Sequence, residues 1–197
     1  MSPPDLLLAS QSPRRQELLR QIGVRFEVIR VDVPEVPEPS ETAEQYVRRL
    51  ALAKSRAGSK LRPDLPVLGA DTVVVHQGRI LEKPCDRGHA LAMLADLSGN
   101  VHMVITGIAV CQGERFRVET VTSEVRFRAI SPEEAELYWT TGEPRDKAGS
   151  YGIQGYGAVF VAHLAGSYSN VVGLPLTETQ ALLAEFQVPI WCGAEHE

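Results

Sequence analysis

Two rhythms of apolar and polar residues alternate along this 197-residue chain. Apolar runs at 6–9, 26–33, 66–75, 101–111 and 115–127 predict strands. The run at 66–75 is apolar on both faces, as in the centre of a covered sheet, whereas 115–127 largely alternates. Between these runs, helical spacing comes with its own punctuation. Ser12-Pro13 supplies an N-cap and a first-turn proline to a helix that Gly23 ends. A second helix spans 41–57 on the stripe Ala43, Val47, Leu50 and Ala57. A third spans 87–97 behind the N-cap Asp86 and buries Ala90, Leu91, Leu94 and Leu97. Ser131-Pro132-Glu133-Glu134 combines N-cap, proline and capping-box glutamate ahead of a helix reaching 141, where Gly142 ends it. A last helix covers 175–186, and a short strand is predicted at 158–161 before a turn at Gly166. Pro34, Pro37 and Pro39 open a loop, and Gln77-Gly78 and Gln112-Gly113 mark tight turns. Glycines at 149, 152, 155 and 157 make the segment from Asp146 to Gly157 too special in backbone for a mere connector, so it reads as a binding loop. No repeat, low-complexity tract or linker interrupts residues 1–197, which are expected to form a single domain.

Several polar residues break this pattern. Ser10, Ser12, Arg14 and Arg15 bring two hydroxyls, free backbone N–H groups and two guanidinium groups to one helix N-terminus, a place that attracts phosphate. Arginines there oppose the positive end of the helix, a conflict that a bound anion relieves. The other reading is a solvated arginine pair on an ordinary capped helix. Lys54 falls on the apolar stripe of the second helix, either snorkelling outward or aiming its ammonium into a cleft. Asp71 and Thr72 sit in the middle of the most apolar strand, where a carboxylate must be paired, metal-bound or placed at a cleft. Glu35, on the proline-stiffened loop, is a solvated acid or an oxygen ligand for a hard divalent cation.

The net charge of -5 argues against non-specific nucleic-acid binding and makes any positive site local. Cys85, Cys111 and Cys192 are far apart and odd in number, which predicts free core thiols in a reducing compartment. No basic segment precedes the first apolar run, and no window approaches the roughly 18 apolar residues of a membrane span, so no membrane is expected and the cytoplasm is the expected location.

Assembled, Arg14, Arg15, Lys54 and Lys83 offer cations for a polyphosphate, and Asp71 and Glu35 offer carboxylates for Mg2+ or Mn2+. No Walker-type P-loop is present. Hydrolysis of a nucleoside triphosphate would need metal-bridged phosphate oxygens, cationic clamping of the leaving group and a base for water, for which Asp71 is the candidate.

Five ordered motifs carry a resemblance that extends from Leu6 to about residue 183. They are Leu8-Ala9-Ser10-Gln11-Ser12-Pro13-Arg14-Arg15, Gly69-Ala70-Asp71-Thr72, Leu81-Glu82-Lys83-Pro84, Asp146-Lys147-Ala148-Gly149-Ser150-Tyr151-Gly152-Ile153-Gln154-Gly155 and Asn170-Val171-Val172-Gly173-Leu174-Pro175. The chain resembles the Maf family of nucleoside triphosphate pyrophosphatases. That resemblance implies an α/β fold with an elongated twisted mixed sheet flanked by helices, two lobes around a central cleft similar to the inosine-triphosphatase-like enzymes, and a homodimer. It implies divalent-metal-dependent hydrolysis to the nucleoside monophosphate and pyrophosphate. It implies Asp71 as catalytic acceptor, Ser10, Arg15, Lys54 and Lys83 as the phosphate-binding set, and Glu35 as the acidic partner near the metal. Glu38 or Asp32 takes the place of Glu35 in a shifted alignment. Arg14, Thr72 and Gln154 resemble the version that prefers dTTP and UTP. The branch resembling 7-methyl-GTP pyrophosphatases has a tryptophan where Arg14 stands and a glutamate where Gln154 stands. A glutamine amide donates and accepts together, as uracil and thymine require, whereas a cationic methylated purine favours an aromatic face and a carboxylate. A nucleotide-binding regulator of cell septation is the reading from another class.

Overall fold

A computed structural model describes residues 3–192 of the protein. The chain runs β1 (Leu6–Leu8), α1 (Pro13–Gln21), β2 (Phe26–Val28), α2 (Ala43–Leu61), β3 (Val67–His76), β4 (Arg79–Leu81), α3 (Arg87–Leu97) and β5 (Val101–Gln112). It continues through β6 (Arg115–Phe127), α4 (Pro132–Thr140), three short 3-10 segments, β7 (Val161–Ala165), α5 (Tyr168–Val172) and α6 (Leu176–Glu185). The result is a mixed α/β fold flanked by helices, with strand order β2-β1-β3-β5-β6-β7 and β4 paired to β3. β1 pairs in parallel with β2 and β3, whereas the β3–β4 and β6–β7 pairs are antiparallel. The chain divides into two compact units, the first drawn from Met1–Asp71, Thr106–Val121 and Gly173–Glu197, the second from Thr72–Ile105 and Thr122–Val172.

In the first unit, Leu6, Leu7 and Leu8 are fully buried, as expected of a strand covered on both faces. β2 is only three residues long, against the predicted 26–33, because its partner β1 offers three residues for pairing. α2 begins at a capping box, with Thr42 accepting from the Gln45 amide and Gln45 accepting from the Thr42 amide. It runs past the predicted end at 57 and stops two residues before Pro63, which cannot continue a helix. Its buried face is Tyr46, Val47, Leu50, Ala51, Ser55, Gly58 and Ser59, broader than the predicted stripe and leaving Ala43 and Ala57 half-buried. Two glycines let α2 approach the sheet closely. A Cβ on Gly69 would lie 2.7 Å from the Ser55 amide nitrogen, and one on Gly107 would lie 2.5 Å from the Val47 carbonyl. Helix and strands therefore meet backbone to backbone.

In the second unit, Gln77 and Gly78 both have positive φ, 49° and 74°, the combination that a two-residue β3–β4 hairpin requires. Asp86 caps α3 by accepting from the His89 amide at 2.7 Å, and Ser131 and Glu134 form the predicted box at α4. The core gathers Val74, Leu81, Met93, Leu94, Leu97, Val104, Val125, Phe127 and Phe160, with Met93 buried where Leu91 was expected. Its rings meet edge to face, Phe127 with Tyr151 at 4.6 Å and Tyr138 with Phe160 at 5.0 Å. The predicted strand at 158–161 is a 3-10 segment, Tyr156–Phe160, and the strand begins at Val161. The Phe160 carbonyl accepts from the Arg128 amide and its ring enters the core, which leaves Val161–Ala165 to pair with β6.

All three cysteines are free, but only Cys111 is a buried thiol; Cys85 is exposed and Cys192 half-buried. Among the described residues, no helix is long and apolar enough to cross a membrane.

Candidate active site

The turn between β1 and α1 is stapled by one arginine. Ser12 occupies the N-cap position without a side-chain cap bond; its amide donates to Ser10 Oγ at 3.3 Å. Arg15 donates from Nη1 to the same Ser10 Oγ at 3.1 Å and from Nε to the Gly173 carbonyl at 2.8 Å. This is not a solvated surface arginine. Burial lowers its pKa from the ordinary arginine value, the charges of Asp71 and Glu35 work against that, and Arg14 adds to it. Two arginines and two carboxylates thus share one electrostatic neighbourhood in the first unit. The Gly173 carbonyl arrives from 158 residues away, and Gly173 has φ 127°, a conformation that favours glycine.

An acid–lysine–acid bridge forms the second cluster. Side chains at i and i+2 of a strand share a face, so Asp71 projects on the same side as Gly69, where α2 lies closest. Lys54 sits between Ala51 and Ser55, the residues that Gly69 meets, and its ammonium consequently reaches Asp71. Lys54 Nζ is 2.7 Å from Asp71 Oδ1 and 2.6 Å from Glu35 Oε1. The Lys54 and Asp71 side chains are each only 12% exposed, while Glu35 is 53% exposed on its loop. Lys54 does not snorkel outward. The close approach at Gly69 turns a lysine on an apolar stripe into the partner of an aspartate in an apolar strand.

Two carboxylate oxygens within 2.7 Å of one nitrogen converge on one small space. Among the described residues, no group of three or more His, Cys, Asp or Glu could hold a metal ion by itself. A pair of carboxylates matches the habit of Mg2+ and similar hard cations, which take one or two protein oxygens and complete their shell with water and substrate phosphate.

Thr72, Lys83 and Gln154 lie in the second unit. Thr72 follows Asp71 in β3 and is half-buried; Lys83 is exposed after β4; Gln154 is exposed on the glycine-rich loop. The Glu82 carbonyl accepts from the Gly149 amide at 3.2 Å, which ties the Lys83 segment to the start of that loop. Sequence reasoning missed the Gly173 carbonyl and the side chains that hold the loop, Tyr138 and Glu143. The motif Asn170-Val171-Val172-Gly173-Leu174-Pro175 is the only signal for the former; nothing in residue type marks the latter.

Residues 5–186 match the family model described as Maf-like protein, and the chain belongs to that family. The protein called dTTP/UTP pyrophosphatase in Saccharophagus degradans is 55% identical over 191 residues, covering 95% of this chain and 91% of its own. The protein of the same name in Yersinia pestis bv. Antiqua is 52% identical over 182 residues, 92% of each chain. Among solved structures, the Staphylococcus aureus Ham1 protein shows a partial likeness, with TM-score 0.45 and 17% identity over 62% of this chain and 71% of that one.

Proposed function

We propose that this chain hydrolyses dTTP and UTP to the nucleoside monophosphate and pyrophosphate, with Mg2+ or Mn2+ as its cofactor. The observation that carries the reading is the junction of Asp71, Lys54 and Glu35 within the electrostatic reach of Arg15. The match to relatives named dTTP/UTP pyrophosphatase supports the choice of substrate.

Asp71 acts as the base. It takes a proton from water as the water oxygen bonds to the α-phosphorus and the bond from that phosphorus to the β-phosphate oxygen breaks, releasing pyrophosphate. Lys54 holds Asp71 through Oδ1 until the phosphates arrive and then offers its ammonium to them. Arg15, oriented by Ser10 and the Gly173 carbonyl, offers its cation to the phosphates, and Lys83 is proposed to do the same through its motif. Glu35 and Asp71 would hold the divalent ion, which when bound supplies Lewis-acid polarisation of phosphate oxygens. Arg14, Thr72 and Gln154 are proposed to set the preference for a pyrimidine base, with the Gln154 amide matching a carbonyl and the adjacent N–H. The reading includes a homodimer in the cytoplasm with no nucleic-acid partner, supported by the family resemblance and the acidic charge.

The test is turnover of a panel of dTTP, UTP, ITP and 7-methyl-GTP with Mn2+ or Mg2+, with products identified. Pyrophosphate released fastest from dTTP and UTP is expected. Equal or faster turnover of 7-methyl-GTP or ITP would remove the base assignment, and release of orthophosphate would remove the α-phosphorus mechanism.

A further inference from the structure

The glycine-rich loop of the second unit is held by a carboxylate that, among the described residues, makes no salt bridge. Gly142, at φ 79°, turns the chain after α4 and delivers Glu143 beneath the loop. Glu143 Oε1 accepts from the Tyr138 hydroxyl at 2.7 Å and from the Gly157 amide at 3.0 Å, and Oε2 accepts from the Tyr156 amide at 2.8 Å. Tyr138 Oη also accepts from the Gly152 amide at 3.1 Å. The loop is thereby pinned at Gly152 on one side and at Tyr156 and Gly157 on the other. Between the pins, Ile153 packs against the core and Gln154 stands exposed.

The glycines fit this arrangement. A Cβ on Gly157 would lie 2.6 Å from the Tyr138 hydroxyl, one on Gly152 would lie 2.7 Å from Lys147 Cε, and one on Gly155 would collide with Glu143 Oε2. Burial alone would raise the Glu143 carboxyl, but the Tyr138 hydroxyl, the two amides and the Lys147 charge outweigh it and hold the group below its ordinary value. A neutral amide in its place could not accept from three donors on two oxygens. The Lys147 ammonium binds the Glu143 backbone carbonyl and Asp146, so the carboxylate is left to the loop.

We propose that Glu143, oriented by Tyr138, is the positioning residue that fixes the base preference expressed through Gln154. This rests on the reading of Gln154 given above. Glu143 touches no reacting atom; it acts by holding the backbone on both sides of the amide that meets the base.

The test compares Glu143→Gln, Tyr138→Phe, Gln154→Ala and the double variant Glu143→Gln/Gln154→Ala, measuring kcat and KM for dTTP, for dGTP and for an abasic deoxyribose triphosphate. Glu143→Gln is expected to lower the preference for dTTP over dGTP by about tenfold to a hundredfold, chiefly through KM, the scale on which small misplacements act. Turnover of the abasic triphosphate should change by less than about twofold, and Glu143→Gln should add nothing once Gln154 is gone. Tyr138→Phe keeps the ring against Phe160 and removes only the hydroxyl, so it must reproduce the loss of preference if Glu143→Gln fails to fold. Equal loss on all three substrates, or full additivity with Gln154→Ala, would overturn the proposal. A loss of preference in Gln154→Ala that neither Glu143→Gln nor Tyr138→Phe shares would overturn this proposal alone. Unchanged preference in Gln154→Ala would overturn the underlying reading of Gln154 as well.

Discussion

Asp71 and Glu143 are both carboxylates drawn out of water, and they are satisfied by opposite means. Asp71 faces an ammonium on a long side chain, which it shares with Glu35. Glu143 faces two backbone amides and a tyrosine hydroxyl. An ammonium at the end of four methylenes can give way when a phosphate or a metal ion arrives, whereas an amide of the main chain cannot move without its loop. The first arrangement suits a group that must change partners during a reaction. The second suits a frame that must keep its shape.

The largest effect should come from the exchangeable side of this comparison. Asp71→Asn keeps the shape and leaves Lys54 its contact with Glu35, so turnover should fall about 100- to 10,000-fold, the usual span for a general base. The thermal midpoint, measured beside activity, should move by only a few degrees, and a variant that retained its turnover would end the assignment of Asp71 as base. Lys54→Met strands a carboxylate that is only 12% exposed, and breaking such a pair costs about 3 kcal/mol. Urea unfolding should show that loss at neutral pH and recover much of it in Lys54→Met/Asp71→Asn; no recovery would mean that the pair is not coupled.

A smaller effect probes the rigid side. His102 Nε2 lies 2.8 Å from the hydroxyl of Tyr151, the neighbour of Gly152 in the clamped loop. Burial, with a lesser push from His76, lowers the His102 pKa from 6.5 to about 4. The unfolded chain therefore takes up this proton near pH 6.5 and the folded chain only near pH 4. The stability it contributes is complete above the upper value and falls by about 1.4 kcal/mol per pH unit on acidification toward the lower. His102→Gln should flatten that part of the stability profile; a slope equal to that of the parent would refute the linkage. The smallest change is expected at Glu35, more than half exposed, where Glu35→Gln should cost under about 1 kcal/mol in stability. It should nonetheless raise the Mg2+ or Mn2+ concentration for half-maximal activity by about tenfold, since even weaker perturbations of metal sites have that effect. An unchanged metal requirement would exclude Glu35 from the proposed metal site.

The contrast also explains what the sequence could reveal. Asp71 and Lys54 each violate an apolar pattern, and a violation is visible in one dimension. The caps at Asp86 and Ser131 are visible because capping is local. β2 came out short because its partner's length, not its own composition, limits it. The final strand shifted to Val161 because the preceding segment is held by Glu143 and by the core, both tertiary facts. Arg15 could be flagged as a cation, but its acceptor in the Gly173 carbonyl has no letter in the sequence. Glu143 is the clearest case: after a helix and a glycine it reads as an ordinary loop acid, and two of its three partners are main-chain amides that any residue except proline would supply.

The approach of α2 to Gly69 constrains how this region can evolve. Alternation along a strand makes the direction of Asp71 a matter of counting from Gly69: an extra residue between them would turn the acid away from the helix and bring its neighbour round instead. Substitutions here can be graded, but insertions and deletions cannot, so lineages descended from this fold should vary the chemistry at this strand while leaving its length untouched.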